Sequence, residues 1–102
     1  MLFRSLEIDR VTIDVPFPGA APGEAETGVV SRLEEAVRDI EGISEMRSFS
    51  SEGFGRVLLD LEASYDVQAI LDEVKLSVDR ISSFPESIEK PVIYKKIGRA
   101  HV

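Results

Sequence analysis

The sequence lacks cysteine and tryptophan, and its only histidine is His101. Without cysteine, the chain can form no disulfide, CxxC redox pair or thiolate metal site. No apolar run approaches the roughly 20 residues that a membrane-spanning helix needs, and the first residues do not follow the charged-then-apolar pattern of a signal segment, although neither absence is informative where the true ends are unknown. Basic residues are in the minority, with 12 Lys and Arg against 19 Asp and Glu, for a net charge of -7. Because the basic residues are also scattered, the composition argues against nucleic-acid binding.

What the chain does contain is typical of a single folded domain. It has 102 residues, of which 43% are hydrophobic and 30% charged. This composition is ordinary for a globular protein and unlike that of a disordered chain. The acidic balance weakly favours cationic binding partners, although solvated helix faces explain it equally well.

Hydrophobic periodicity predicts four strands and two helices. Alternating apolar residues predict strands over residues 7–16, 43–51, 56–62 and 92–95. Helical spacing predicts a first helix that begins at Pro22 and is capped by Gly42. A second helix is predicted from the capping Asp66 to Ser82. The order β-α-β-β-α-β predicts an α+β fold, a ferredoxin-like two-layer sandwich whose antiparallel sheet carries two helices on one face.

Each predicted helix has an apolar stripe that would face the sheet. The first stripe comprises Ala25, Val29, Leu33, Ala36, Val37 and Ile40. The second comprises Ala69, Ile70, Val74, Val78 and Ile81. Because both helices cover the same side, the other face of the sheet is left for solvent, a ligand or a neighbouring domain.

The sequence lacks the residues that the chemistries hosted by this fold require. An acyl-phosphate hydrolase needs an anion-binding arginine after the first strand, and residues 16–23 contain no Arg or Lys. A metal chaperone needs paired thiols, and an RNA-binding version needs aromatic residues and a basic face. Neighbouring carboxylates such as Glu34 and Glu35 point apart on a helix. We therefore expect no catalytic site, no metal site and no cofactor.

One face of the second helix admits two interpretations. Gln68, Asp72, Leu76 and Asp79 follow a spacing of four, four and three residues. That spacing places them along one side of the helix, away from the apolar stripe. The side is either a solvated face or a face packed around an oligomer axis. The spacing alone favours the solvated face.

Both ends of the chain look foreign to the domain. Residues 97–102 have no periodicity and resemble an in-frame translation of a sequencing adapter, and residues 2–5 resemble the adapter of the opposite end. We predict that residues 1–5 are a non-native leader, residues 6–96 the domain itself and residues 97–102 a non-native tail. His101 then drops out as a candidate ligand or base.

An ordered set of segments resembles the resistance–nodulation–division (RND) efflux permeases. Residues 11–24, VTIDVPFPGAAPGE, resemble a hallmark stretch in which a strand enters a Tyr/Phe-Pro-Gly-Ala turn before a helix rich in Glu and Val. Further segments follow in order: LEEAV at 33–37, IEGI at 40–43, SSEG at 50–53, VLLDL at 57–61, Asp66-Val67, Phe84-Pro85 and PVI at 91–93. The resemblance covers nearly all of residues 6–96.

The resemblance implies a function as well as a fold. The chain would be the first N-terminal porter subdomain of a proton-driven exporter in the bacterial inner membrane, with this segment in the periplasm. Such permeases are homotrimers that export small molecules and work with a periplasmic adaptor and an outer-membrane channel. Their proton-relay carboxylates lie in transmembrane helices, which are absent from this segment. The resemblance implies a non-enzymatic role for it in handling the substrate. The alternative is a freestanding ferredoxin-like regulatory or ligand-binding module.

The resemblance also implies roles for particular residues. It places the face formed by Gln68, Asp72, Leu76 and Asp79 at the central pore of the trimer. It places Asp14, Arg56 and Leu58 on strands near the substrate path. Asp72 and Asp79 depart from the small or neutral residues typical of the pore, since like charges would meet there.

Overall fold

The computed structural model describes the backbone of residues 5–101 and the side chains of residues 7–98. The four strands are β1 (Ser5–Pro16), β2 (Ile43–Ser51), β3 (Phe54–Leu61) and β4 (Val92–His101). The first helical segment is continuous and comprises α1 (Pro22–Ala25), a π-helical turn (Glu26–Val30) and α2 (Ser31–Val37). The second is α3 (Val67–Asp79), whose N-cap Asp66 accepts a hydrogen bond from the Gln68 backbone N–H.

The strands form one antiparallel sheet in the order β2-β3-β1-β4. β1 therefore lies in the centre, with β3 on one side and β4 on the other. This order is that of a split β-α-β arrangement, and it confirms the predicted α+β ferredoxin-like sandwich.

The core lies between one face of the sheet and the two helical segments. Alternate residues of β1, namely Val11, Ile13 and Val15, are completely buried. They meet buried residues of both helical segments: Val29, Leu33, Val37, Ile70, Val74 and Val78. Both predicted stripes are thus largely confirmed, but Ala69 is exposed and its assignment to the stripe is wrong. Instead, Ile70 and Val74, which are one helical turn apart, point toward the core.

Both helices end earlier than predicted. α3 ends at Asp79 rather than Ser82, and a non-helical stretch leads from there to β4. The first segment ends at Val37, so Gly42 is not its cap. Gly42 instead lies in the turn before β2 with a φ of 96°, and a Cβ there would stand 2.7 Å from Cδ1 of Ile70. Glycine is required at this position for two reasons: the positive φ and the lack of space for a Cβ.

The fourth strand is longer than predicted. β4 continues beyond Lys95 to His101, because residues 5–9 of β1 provide backbone partners for residues 97–101. Regular pairing is open to any extended segment, so the foreign origin of residues 97–102 stays a prediction. Of the predicted leader, residues 1–4 lie outside the described residues. Within residues 5–101, no helix combines the length and the apolar character that crossing a membrane requires.

Candidate functional site

The sheet face opposite the helices carries the largest group of interacting polar side chains in the described part of the chain. Because side chains alternate along a strand, burial of Val11, Ile13 and Val15 directs Arg10, Thr12 and Asp14 to the other face. The paired positions on β3 and β4 point the same way. We call this surface the open face.

Asp14 lies at the centre of a three-residue cluster on the open face. Arg56 lies directly opposite Asp14 on β3. Its Nε donates to Asp14 Oδ1 at 2.6 Å and its second guanidinium nitrogen donates to Oδ2 at 3.1 Å. From the other side, the Tyr94 hydroxyl of β4 donates to Oδ2 at 2.9 Å. One carboxylate thus ties the three neighbouring strands β3, β1 and β4 together.

The surroundings of this cluster fix its charge state. The hydrogen bond to Asp14 raises the pKa of Arg56, so the guanidinium stays charged. Burial raises the pKa of Tyr94, and the hydrogen bond to Asp14 raises it further, so the phenol stays a donor. The Arg56 guanidinium also lies over the Phe54 ring, 5.3 Å from its centroid. The cluster is therefore a neutralised ion pair with one aromatic ring on either side.

A second ion-pair cluster lies further along the same face. Asp60 is only 6% exposed and accepts a hydrogen bond from Nε of Arg10, which is opposite it on β1. The Arg47 guanidinium approaches the other carboxylate oxygen at 3.5 Å. Leu58 is half-buried between the two clusters, opposite Thr12 on β1 and Arg47 on β2.

The three residues predicted near a substrate path share the open face, although only two of them touch. Asp14 and Arg56 are bonded, whereas Leu58 lies two residues further along β3. The sequence prediction missed Tyr94. Its alternation with the core-facing Ile93 could have placed it on the open face once β4 was known to pair with β1.

The predicted face of α3 is exposed along its whole length. Gln68, Asp72, Leu76 and Asp79 are all exposed, on the side away from the buried Ile70, Val74 and Val78. Gln68 Nε2 donates to Asp72 Oδ1 at 2.9 Å. Leu76 is 55% exposed, although it is a large apolar residue. The four residues are thus on one surface, and its place in an assembly stays a prediction.

Comparison with known proteins agrees with this fold and identifies its class. The sequence model of the AcrB/AcrD/AcrF family matches residues 2–100. The multidrug resistance protein MdtC of Serratia proteamaculans is 30% identical over 89 residues, which are 86% of this chain and 9% of that protein. MdtC of Pectobacterium carotovorum is 28% identical over 89 residues, which are likewise 86% of this chain and 9% of that protein.

These matches establish the class of protein first: the chain belongs to the RND efflux permeases, as its sequence resemblance predicted. More particularly, it belongs to the AcrB/AcrD/AcrF family. It spans about a tenth of the length of the relatives it matches.

Proposed function

We propose that this chain is a periplasmic porter subdomain of a proton-driven inner-membrane exporter of small molecules. It would be a non-enzymatic part that lines the substrate path with its open face and the central pore of a homotrimer with α3. A periplasmic adaptor and an outer-membrane channel would be its partners in the complete pump. Family membership over residues 2–100 supports this assignment.

The exposed face of α3 is the observation that carries the proposal. Leu76 is a large apolar residue that is 55% exposed between Asp72 and Asp79, so this face offers apolar surface as well as charge. Around a threefold axis, three copies of Leu76 would approach one another and bury apolar surface. The bond from Gln68 gives Asp72 a partner within its own helix, which lessens the repulsion between like charges.

The open face suits a path along which small molecules pass. Asp14 and Arg56 neutralise each other, while Phe54 and Leu58 add apolar surface between the polar groups. Binding sites for small molecules combine apolar walls with a few fixed polar groups in this way. A fixed and neutral arrangement would contact a passing molecule without trapping it by charge.

Disulfide cross-linking tests the position of α3. In the full-length permease that contains this segment, with its other cysteines replaced, Leu76→Cys would stand at the threefold axis. We expect oxidation to join subunits into disulfide-linked dimers on a non-reducing gel. Glu35→Cys, on the exposed side of the first helical segment, is the matched control and should stay monomeric.

Two results would contradict the proposal. Equal cross-linking at both positions would reflect random collision between subunits. No cross-linking at residue 76 would show that α3 does not lie at the threefold axis. The alternative, a freestanding ligand-binding module, predicts instead that the 102-residue chain forms stable dimers with a bound small molecule. Sedimentation of the purified chain distinguishes that case.

A further inference from the structure

A groove lies at the outer edge of the sheet, between the last turns of α3 and the start of β4. Its volume is about 490 Å³. It is lined by Lys75 and Asp79 of α3 and by residues 90–93. β4 is an edge strand, so no further strand covers this side within the described sheet. Cavities of this size are typical of small-molecule sites.

The groove presents two ammonium groups without partners. Lys75 and Lys90 both line it, and among the described residues no carboxylate lies within 4.0 Å of either ammonium. The ion pairs present are formed by Arg10, Arg47 and Arg56 instead. These two lysines are therefore available to an anionic ligand.

The remaining lining residues decide the character of that anion. Pro91, Val92 and Ile93 form an apolar wall, and Val92 is 54% exposed. Asp79 brings one negative charge against the two positive charges of the lysines. A single negative charge on the ligand would make the groove neutral. A phosphate monoester, with about two charges near neutral pH, would overshoot this balance.

We infer that this groove binds an amphipathic monoanion, a carboxylate or sulfonate attached to an apolar body. The anionic head lies between Lys75 and Lys90, and the body lies along residues 91–93. The groove shares no residue with the Asp14 cluster, although its lining residue Val92 lies opposite Asp14 in the sheet. The inference does not rest on the proposed transport function, because binding is measured on the chain alone.

Calorimetric titration of the 102-residue chain with decanoate tests the inference. We expect saturable binding, and the double variant Lys75→Gln/Lys90→Gln should weaken it about tenfold or more, because two charge-assisted hydrogen bonds are lost. Arg38→Gln removes a positive charge outside the groove, at the exposed C-cap of α2, and should change the dissociation constant less than about twofold. Circular dichroism checks that each variant keeps the fold.

Three outcomes would overturn the inference. Equal affinity for decyltrimethylammonium would mean that the apolar wall alone binds the chain length and that the lysines contribute nothing. Unchanged affinity in the double variant would place the ligand elsewhere. Absence of saturable decanoate binding would show that the groove serves another occupant. Self-association of the chain that prevents decanoate binding, detected by sedimentation, would show the same.

Discussion

Asp14 accepts all three hydrogen bonds of its cluster, so Asp14→Ala measures how strongly the open face holds the sheet together. Its ion pair with Arg56 is screened, because the Arg56 side chain is 40% exposed, and we assign it about 0.5–1 kcal/mol. The half-buried hydroxyl of Tyr94 loses its carboxylate acceptor, at about 1 kcal/mol. The expected loss is therefore about 1.5–2 kcal/mol, or about 6–16 °C in Tm for a domain of this size.

Urea denaturation followed by circular dichroism at neutral pH gives the free energy of unfolding directly. Asp39→Ala removes an exposed carboxylate near the end of the first helical segment and should change stability by less than about 0.5 kcal/mol. Tyr94→Phe should cost about 1 kcal/mol alone and nothing further in the Asp14→Ala background, since the two changes remove the same bond. If Asp14→Ala is no more costly than Asp39→Ala, the cluster does not stabilise the sheet and this reasoning fails.

Two further predictions concern the same sheet. With the other tyrosine replaced by Phe, Asp14→Asn should lower the pKa of Tyr94 in an ultraviolet titration, and an unchanged pKa would show that the bond is absent. Folding raises the pKa of Tyr94 above its unfolded value of 10.0. The stabilisation that the protonated Tyr94 contributes is therefore complete below pH 10.0 and is lost as the pH rises through the folded pKa. The free energy of unfolding should fall over that pH range. Gly55→Ala should cost about 1–3 kcal/mol, because its Cβ would stand 2.9 Å from Cγ1 of Val29. Gly28→Ala should be nearly neutral, since a helix-propensity gain of about 1 kcal/mol offsets a proline contact at 3.1 Å; equal costs in denaturation would contradict this comparison.

The fold was predictable because its local signals agree with one another. Val11, Ile13 and Val15 alternate, and the helical residues that bury against them recur at helical spacing. The π-helical turn Glu26–Val30 had no such signal. Its shape depends on tertiary packing, since Gly28 lies close to the rings of Phe17 and Pro85. The extension of β4 was missed for the same reason, because it depends on a partner strand rather than on periodicity.

The site was less predictable than the fold, because it depends on strand register. Asp14 and Arg56 are 42 residues apart, and only family resemblance placed both near a substrate path. Tyr94 is 80 residues from Asp14 and meets it through pairing with β1, which no local pattern specifies. Arg10 and Asp60 form their bond through an equally remote pairing.

If the open face lines a substrate path, as we propose, its arrangement of charges bears on what kind of molecule could pass along it. Arg56 neutralises Asp14, and Arg10 and Arg47 surround Asp60, with Glu45 of β2 at 3.8 Å from Arg47. These clusters hold three acidic and three basic groups, so they are neutral although the whole chain carries -7. The acidic excess therefore lies outside these clusters, where solvent and salt screen it. Net charge is thus a poor guide to cargo here, and the weak indication of cationic partners from composition does not extend to this face. On this reasoning, exchanging an exposed carboxylate of the first helical segment, such as Glu35, for a neutral residue should leave the selectivity of the proposed exporter unchanged, whereas breaking the Asp14–Arg56 pair should alter it.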